Sequence, residues 1–259
     1  MIILSISTIP DRLSHILEIL NRLKRQTMFP DKIYISIANF YPRLNKTYSQ
    51  DDLNTLENYI QDYPVKIEIL RQDEDIGPCI KLLGPIDYCT NDDVIIICDD
   101  DSGLNDRGIE LLYNEYLKNK NFRYGFMGIY KNQFLHGENI RHDFGLMNNY
   151  LEVDALGAYR GILYPVNIFD KQELKEWVDM FVQEHKKHNL IAMHDDHIFN
   201  YYCKYKNIPA RIVKIPNVVD KLFYDPIKTE NGIFQDNSCS KSLDIMTNLI
   251  KNKGLEHLL

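Results

Sequence analysis

The sequence predicts an α/β fold in which a mostly parallel central sheet is covered by helices on both faces. Three observations carry that expectation. Apolar segments of strand length alternate with segments of helical period through the first half of the chain. The run Val94-Ile95-Ile96-Ile97-Cys98 is unbroken and almost wholly β-branched, the pattern of a strand buried on both faces. At 259 residues the chain can bury a large core as one domain, and it shows no internal repeat, low-complexity linker or second-domain boundary.

Residues 2–7 (IILSIS) read as the first strand. Leu13, Ile16, Leu17, Leu20 and Leu23 recur at helical spacing and predict a helix over 11–25, with Thr8 and Asp11 as a capping-box-like start. Residues 32–38 (KIYISIA) form a second strand, Leu53, Leu56 and Ile60 mark a second helix, and 65–70 (VKIEIL) form a third strand. A short helix around 78–89 precedes the strand 94–98. Ile109, Leu112, Tyr113 and Tyr116 then give another helix, and 124–130 (YGFMGIY) another strand. Residues 131–150 lack periodicity and read as a long functional or mobile loop. The apolar Ile162-Leu163-Tyr164 suits a strand. Leu174, Trp177, Val178 and Phe181 define a helix over 170–187, and Ile198, Phe199 and Tyr202 define one more. A strand near 210–215 follows. From Pro216 the chain reads as irregular up to a last helix near 241–252.

Composition narrows the function classes. A net charge of −7 argues against a nucleic-acid binder, which usually presents a basic face. Five cysteines, odd in number and without a CxxC pair, fit a reducing compartment and give no support for zinc or a disulfide framework. Met1 to Ile9 lacks a basic n-region and a cleavage site, so it reads as a strand and not a signal peptide. No segment reaches transmembrane length. A soluble, cytoplasmic chain is expected; oligomeric state is not legible.

The chemistry concentrates at Asp99-Asp100-Asp101, where the buried strand would emerge. Open α/β sheets bind ligands in the crevice outside the carboxyl ends of their strands. By strand alternation Asp99 and Asp101 share one side and Asp100 points away. Like charges held close raise each other's pKa unless a cation neutralises them, and Mg²⁺ or Mn²⁺ is the natural partner for oxygen ligands. The plainer reading is a turn or helix cap, where Asp clusters are common.

Four segments together resemble the GT-A fold of nucleotide-sugar-dependent glycosyltransferases, especially the small family-2-like enzymes of bacteria and large DNA viruses. They are SISTIPDR (Ser5 to Arg12), DIGPCIKLLG (Asp75 to Gly84), IIICDDD (Ile95 to Asp101) and HDDHIFNYY (His194 to Tyr202). The resemblance implies one GT-A (Rossmann-like) domain over 1–259, with a nucleotide-binding half at 1–101, an acceptor and catalytic half at 102–215, and an irregular tail at 216–259. It implies metal-dependent transfer of a sugar from a nucleotide-sugar donor, a UDP-sugar first, to a glycan or small-molecule acceptor, with inversion. Asp99 and Asp101 would hold Mn²⁺ or Mg²⁺. Asp100 is a rival ligand, and one carboxylate of the triplet is an alternative ribose contact. Thr8 and Arg12 would lie near the nucleotide, Asp73 in the base or ribose pocket, and Lys81 at the nucleotide or its phosphates. Of the pair Asp195-Asp196, Asp196 matches the position of the general base.

Each assignment has a plainer rival. Arg12 and Lys81 also read as solvated helix-face cations, Asp73 as a turn cap before Gly77-Pro78, and Asp195 as a helix N-cap with Asp196 favouring the dipole. His194 and His197 make an H-x-x-H, but no third zinc ligand is evident, so surface or acceptor-site histidines are expected. A histidine ligand for the metal would come from His136, His142, His194 or His257. Asp154, in the stretch Val153 to Gly161 that borders donor sugar and acceptor in the resembling enzymes, is a candidate sugar contact. Gly157 and Gly161 would permit close approach of backbone to a ligand.

Two other function classes compete. A metal-dependent phosphohydrolase of the haloacid-dehalogenase type would end its first strand in D-x-D, whereas this cluster ends the fourth. A nucleotidyltransferase would show a Gly-rich basic phosphate loop after its first strand, which SISTIPDR is not. A non-catalytic sugar-binding module is the remaining rival, and the intact triplet with Asp195-Asp196 weighs against it.

Overall fold

The computed structural model describes residues 1–129, 152–192, 194–213, 227 and 238–259. The irregular stretch expected at 131–150, with His136 and His142, lies outside the described residues, as does most of the tail after Pro216.

Strands β1 (Ile2–Ser7), β2 (Lys32–Ala38), β3 (Ile67–Gln72) and β4 (Val94–Cys98) pair in parallel, in the order β3-β2-β1-β4. Between them run helices α1 (Leu13–Leu23), α2 (Gln50–Gln61) and α3 (Ile80–Ile86). The chain next forms α4 (Gly108–Lys118), β5 (Arg123–Gly125) and the short strands β6 (Gly128–Ile129), β7 (Glu152–Val153) and β8 (Ala155–Leu156). It closes with β9 (Ile162–Pro165), α5 (Lys171–Lys187), α6 (Asp195–Tyr205), β10 (Ala210–Ile212) and α7 (Ser238–Asn252).

Among the described residues the main sheet has eight strands in the order β3-β2-β1-β4-β9-β5-β10-β7. The parallel arrangement holds for β3 to β4 and for β5 with β10. β9 runs antiparallel between β4 and β5, and β7 antiparallel to β10. The predicted strand 124–130 divides after Gly125. Gly128 and Ile129 leave the main sheet to pair with Ala155 and Leu156, as expected where glycines weaken a continuous strand; Tyr130 lies outside the described residues.

Period-two burial explains the two layers. Ile3, Ile95 and Ile97 face a cluster containing Leu82, Ile86, Trp177, Phe181, Phe199 and Tyr202. Leu4, Ile6, Ile96 and Cys98 face Ile16, Ile19, Leu20, Ile109 and Leu112 on the opposite side. Helices therefore cover both faces, which is why Val94–Cys98 carries no polar side chain. α3 lies close on β2 because only the small Ser36 sits beneath Gly84.

Helix starts follow local chemistry, with one exception. Ser49 and Asp52 form a reciprocal capping box on α2, and Asp170 Oδ1 accepts from Glu173 N on α5. The capping role expected of Thr8 and Asp11 is not found: Pro10–Arg12 forms a 3-10 turn, no side chain caps α1, and Thr8 is engaged elsewhere. The last helix begins at Ser238, earlier than its apolar pattern indicated. Among the described residues no helix is long and apolar enough to cross a membrane.

Candidate functional site

The strand order reverses between β1 and β4, so a crevice opens at their carboxyl ends. Thr8 and Arg12 follow β1, and Asp99, Asp100 and Asp101 follow β4. Asp100 is 4% exposed and sits on the α1 side. It accepts from Thr8 Oγ1 at 2.8 Å and from Arg12 at 2.7 Å. Tyr41 locks this corner, its hydroxyl accepting from Ala38 N at 2.8 Å and donating to Thr8 O at 2.9 Å. No periodicity in residues 39–48 marked Tyr41 for that task; only its position after a strand end is visible in the sequence.

Asp99 faces the other side of the sheet, as alternation requires, and meets Lys81 from α3. Lys81 is 2% exposed and also pairs with Asp195 Oδ2 at 3.0 Å. It is not a solvated helix-face cation. Burial opposes its charge, but Asp195 and then Asp99 outweigh that and hold the ammonium well above its ordinary pKa. Asp195 opens α6 as its first residue, behind His194, so it is not the N-cap. Burial pushes its carboxyl above the usual range, Lys81 opposes this, and Asp196 and Asp99 add to it. Asp196 is half-buried, and among the described residues no cation pairs with it.

Strand alternation ends with Asp100. A turn over Asp100–Ser102 returns Asp101 toward Arg12, 3.5 Å away, so Asp101 shares a cation with Asp100 while Lys81 serves Asp99. Burial, then the charges of Asp99 and Asp100, push the Asp101 carboxyl up to about 6. Ile227 N donates to Asp101 O at 2.7 Å, fixing the turn from behind.

Asp101 thus lies among the carboxylates of Asp99 and Asp100, with the Arg12 guanidinium at 3.5 Å. The set fits a hard divalent cation in chemistry. Among the described residues no three His, Cys, Asp or Glu side chains converge as ligands, so a cation on Asp99 and Asp101 would need oxygens from substrate or water.

The remaining candidates lie around this centre. Asp73 is exposed beyond the end of β3 and accepts from Asn39 Nδ2 at 3.0 Å. The carboxylate that organises the turn before Gly77 is Asp75, which accepts from Gly77 N at 2.9 Å. Gly77 has φ +69° and packs on the carbonyl of Ala192, so a side chain there would be both strained and obstructed. Asp154 is half-buried between β7 and β8, and its carbonyl accepts from Arg123 at 3.3 Å. The glycines flanking Ala158–Arg160 approach the protein itself: Gly161, at φ +92°, lies against Leu104, and Gly157 against Met127. The expectation that they open room for a ligand gives way to packing. His194 is buried and His197 half-buried, their rings edge to face at 5.3 Å, so neither is a surface histidine. Burial holds His197 below its ordinary pKa.

Sequence reasoning also missed the clamp on α6. Asn200 Oδ1 accepts from Leu156 N at 3.0 Å and from the fully buried Arg123, while its Nδ2 donates to Leu156 O at 2.8 Å. One side chain thus pairs with β8 as a strand would, and pins the helix that carries Asp195 and Asp196. Nothing in the spacing of Arg123 and Asn200 announces the pairing.

A parallel half-sheet with a switch-point crevice, an acidic turn after the fourth strand and a second acidic pair opening a helix define a GT-A-like α/β fold. No family model matches the chain, and no curated protein matches it in sequence. Solved structures do share its fold. They include S. aureus TarS 1-349 in complex with UDP-GlcNAc, at a TM-score of 0.60 and 12% identity over 96% of this chain and 65% of that one. The same TarS segment in complex with UDP gives 0.55, at 12% identity over 97% and 65%. The chain spans just under two thirds of that segment's length, and the likeness shows a common fold.

Proposed function

We propose that this protein is a metal-dependent glycosyltransferase that moves a sugar from a UDP-sugar to a glycan or small-molecule acceptor with inversion at the anomeric carbon. The observation that carries the reading is the meeting of the Asp99–Asp101 turn and the Asp195-Asp196 helix start at the crevice beside β1 and β4, joined through Lys81. The UDP and UDP-GlcNAc complexes of TarS, which shares the fold, support a uridine nucleotide donor.

In this mechanism Thr8, Arg12 and Asp100 form the wall against the nucleotide, and Asp73 borders the base or ribose. Asp99 and Asp101 would hold Mn²⁺ or Mg²⁺, which when bound offsets charge on the diphosphate. Asp154 contacts sugar hydroxyls from the β7–β8 side. The acceptor oxygen attacks the anomeric carbon from the face opposite the diphosphate while the Asp196 carboxylate accepts its proton. The bond to the diphosphate breaks with its electron pair on the leaving oxygen. Arg12 is close enough to Asp100 and Asp101 to keep the turn rigid as that charge develops. The described free thiols, Cys79, Cys89, Cys98 and Cys203, suit the reducing cytoplasm.

A thermal-shift screen of nucleotide-sugars with Mn²⁺ tests the donor. At about 100 times Kd a true donor stabilises the fold by about 2.7 kcal/mol, a rise of roughly 5–10 °C in Tm. Equal, negligible shifts for every nucleotide would reject the reading, and retention of anomeric configuration in the product would reject inversion.

A further inference from the structure

We propose that Lys81 is a positioning residue, whose buried ammonium ties Asp99 at the strand edge to Asp195 at the start of α6 and so sets where Asp196 stands. The inference rests on the function proposed above and extends it to how the two acidic groups are held in register.

The placement of Lys81 is fixed from three directions. Below it, α3 lies on β2 through Gly84 and Ser36. Behind it, the Gly77–Cys79 turn packs on the carbonyl of Ala192, three residues before α6 begins. Its own side chain is enclosed and ends between two carboxylates, with Asp195 Oδ2 at 3.0 Å and Asp99 as the second partner. The side chain of Asp195 is 8% exposed and that of Asp99 31%. A buried cation of this kind has no surface from which to reach a donor directly. Its charge is taken up by the protein's own acids.

The arrangement divides labour between neighbours in sequence. Asp195 is bound to Lys81, and Asp196, one residue on, is paired with no cation among the described residues. Removing the ammonium leaves Asp195 and Asp99 as like charges facing each other in a poorly solvated space. Repulsion then acts on the first residue of α6 and displaces Asp196. Removing the Asp195 charge as well relieves that repulsion without restoring any contact from position 81. Recovery in the double variant therefore separates charge balance from direct contact with substrate.

The experiment is a double-mutant cycle of Lys81→Met and Asp195→Asn, with Tm and donor turnover measured per folded molecule. Lys81→Met is expected to lower Tm by about 10 °C. It should lower kcat by about a hundredfold, with the donor KM within about threefold of wild type. The double variant is expected to regain most of the Tm loss and at least about tenfold of the lost kcat. A rise in donor KM of more than about tenfold in Lys81→Met, with no recovery in the double variant, would overturn the proposal in favour of direct donor contact. Wild-type kcat in Lys81→Met would overturn it too. Should Lys81→Met fail to fold, a double variant that folds supports the coupling and one that also fails rejects it. Absence of turnover in the wild type would reject the transferase reading alone, and the Tm cycle would still decide whether Lys81 holds the two acids together.

Discussion

Asp195 and Asp196 are adjacent in sequence and differ in surroundings. The first is 5% exposed and bound to Lys81; the second is half-buried and faces no cation among the described residues. Under the proposed reading the base is Asp196, because the Asp195 carboxylate is enclosed against Lys81 and Asp196 is the more open of the two. Asp196→Asn should lower kcat roughly thousandfold while the donor Kd moves by less than about threefold. Steady-state kinetics beside donor titration checks this, and a change confined to Kd would make Asp196 a binding residue. His185 offers a second single-residue test. It is fully buried, with Nδ1 2.7 Å from Phe181 O and Nε2 2.8 Å from Ser242 Oγ, and burial holds its pKa below the ordinary value. In the unfolded chain the same imidazole titrates near 6.5. As pH falls through that value the unfolded state takes up a proton that the folded state refuses, so stability is lost, levelling only below the folded pKa. The Tm advantage of wild type over His185→Gln should therefore shrink between about pH 7.5 and about pH 5.

Elements were legible in proportion to their hydrophobic period. β1, β2, β4 and α5 stand where alternating or unbroken apolar runs indicated, because burial on one or both faces writes itself into such patterns. The strand 124–130 was misread as continuous because an apolar run with two glycines does not reveal which ladder each part joins. The reversed direction of β9 was also invisible, since side-chain alternation is the same for a strand run either way. At the site, the strand-end position of Asp99 to Asp101 was legible and the partners were not. For Lys81 the resemblance implies a nucleotide or phosphate contact, with a solvated cation as the plainer rival. Its burial against Asp195 escapes both readings because that partner comes from α6, more than a hundred residues later. The Asn200 clamp was hidden for the same reason. Asn200→Ala removes hydrogen bonds from buried Leu156 backbone groups and from Arg123, and should destabilise the protein by about 3 kcal/mol in urea titration. A loss below about 0.5 kcal/mol would show that α6 is held by its apolar face alone.

For the whole molecule, the two packing layers share one sheet. Ile3, Tyr34 and Leu70 from the first half lie in the same cluster as Trp177, Phe181 and Tyr202 from the second. The division expected at residue 101 is therefore not a division of the core, since both packing clusters draw residues from either side of it. Trp177 is the sole tryptophan and reports from α5. Its fluorescence transition in denaturant should coincide with the far-UV circular dichroism transition, which averages over both halves. Separate midpoints would show that the halves melt independently.

The antiparallel course of β9 carries a consequence for the rim of the crevice. Ile162 pairs with Ile97, so the chain comes into β9 beside the place where it departs β4. The rim is thus furnished by an arriving segment as well as by departing ones. Only residues 157–160 separate β8 from Gly161, so the arriving segment is tied to the β6 ladder at one end and to β4 at the other. Under the proposed transferase reading, substitutions in the short stretch ahead of β9 are therefore where a change of donor sugar would first be sought, across the gap from the Asp99–Asp101 turn.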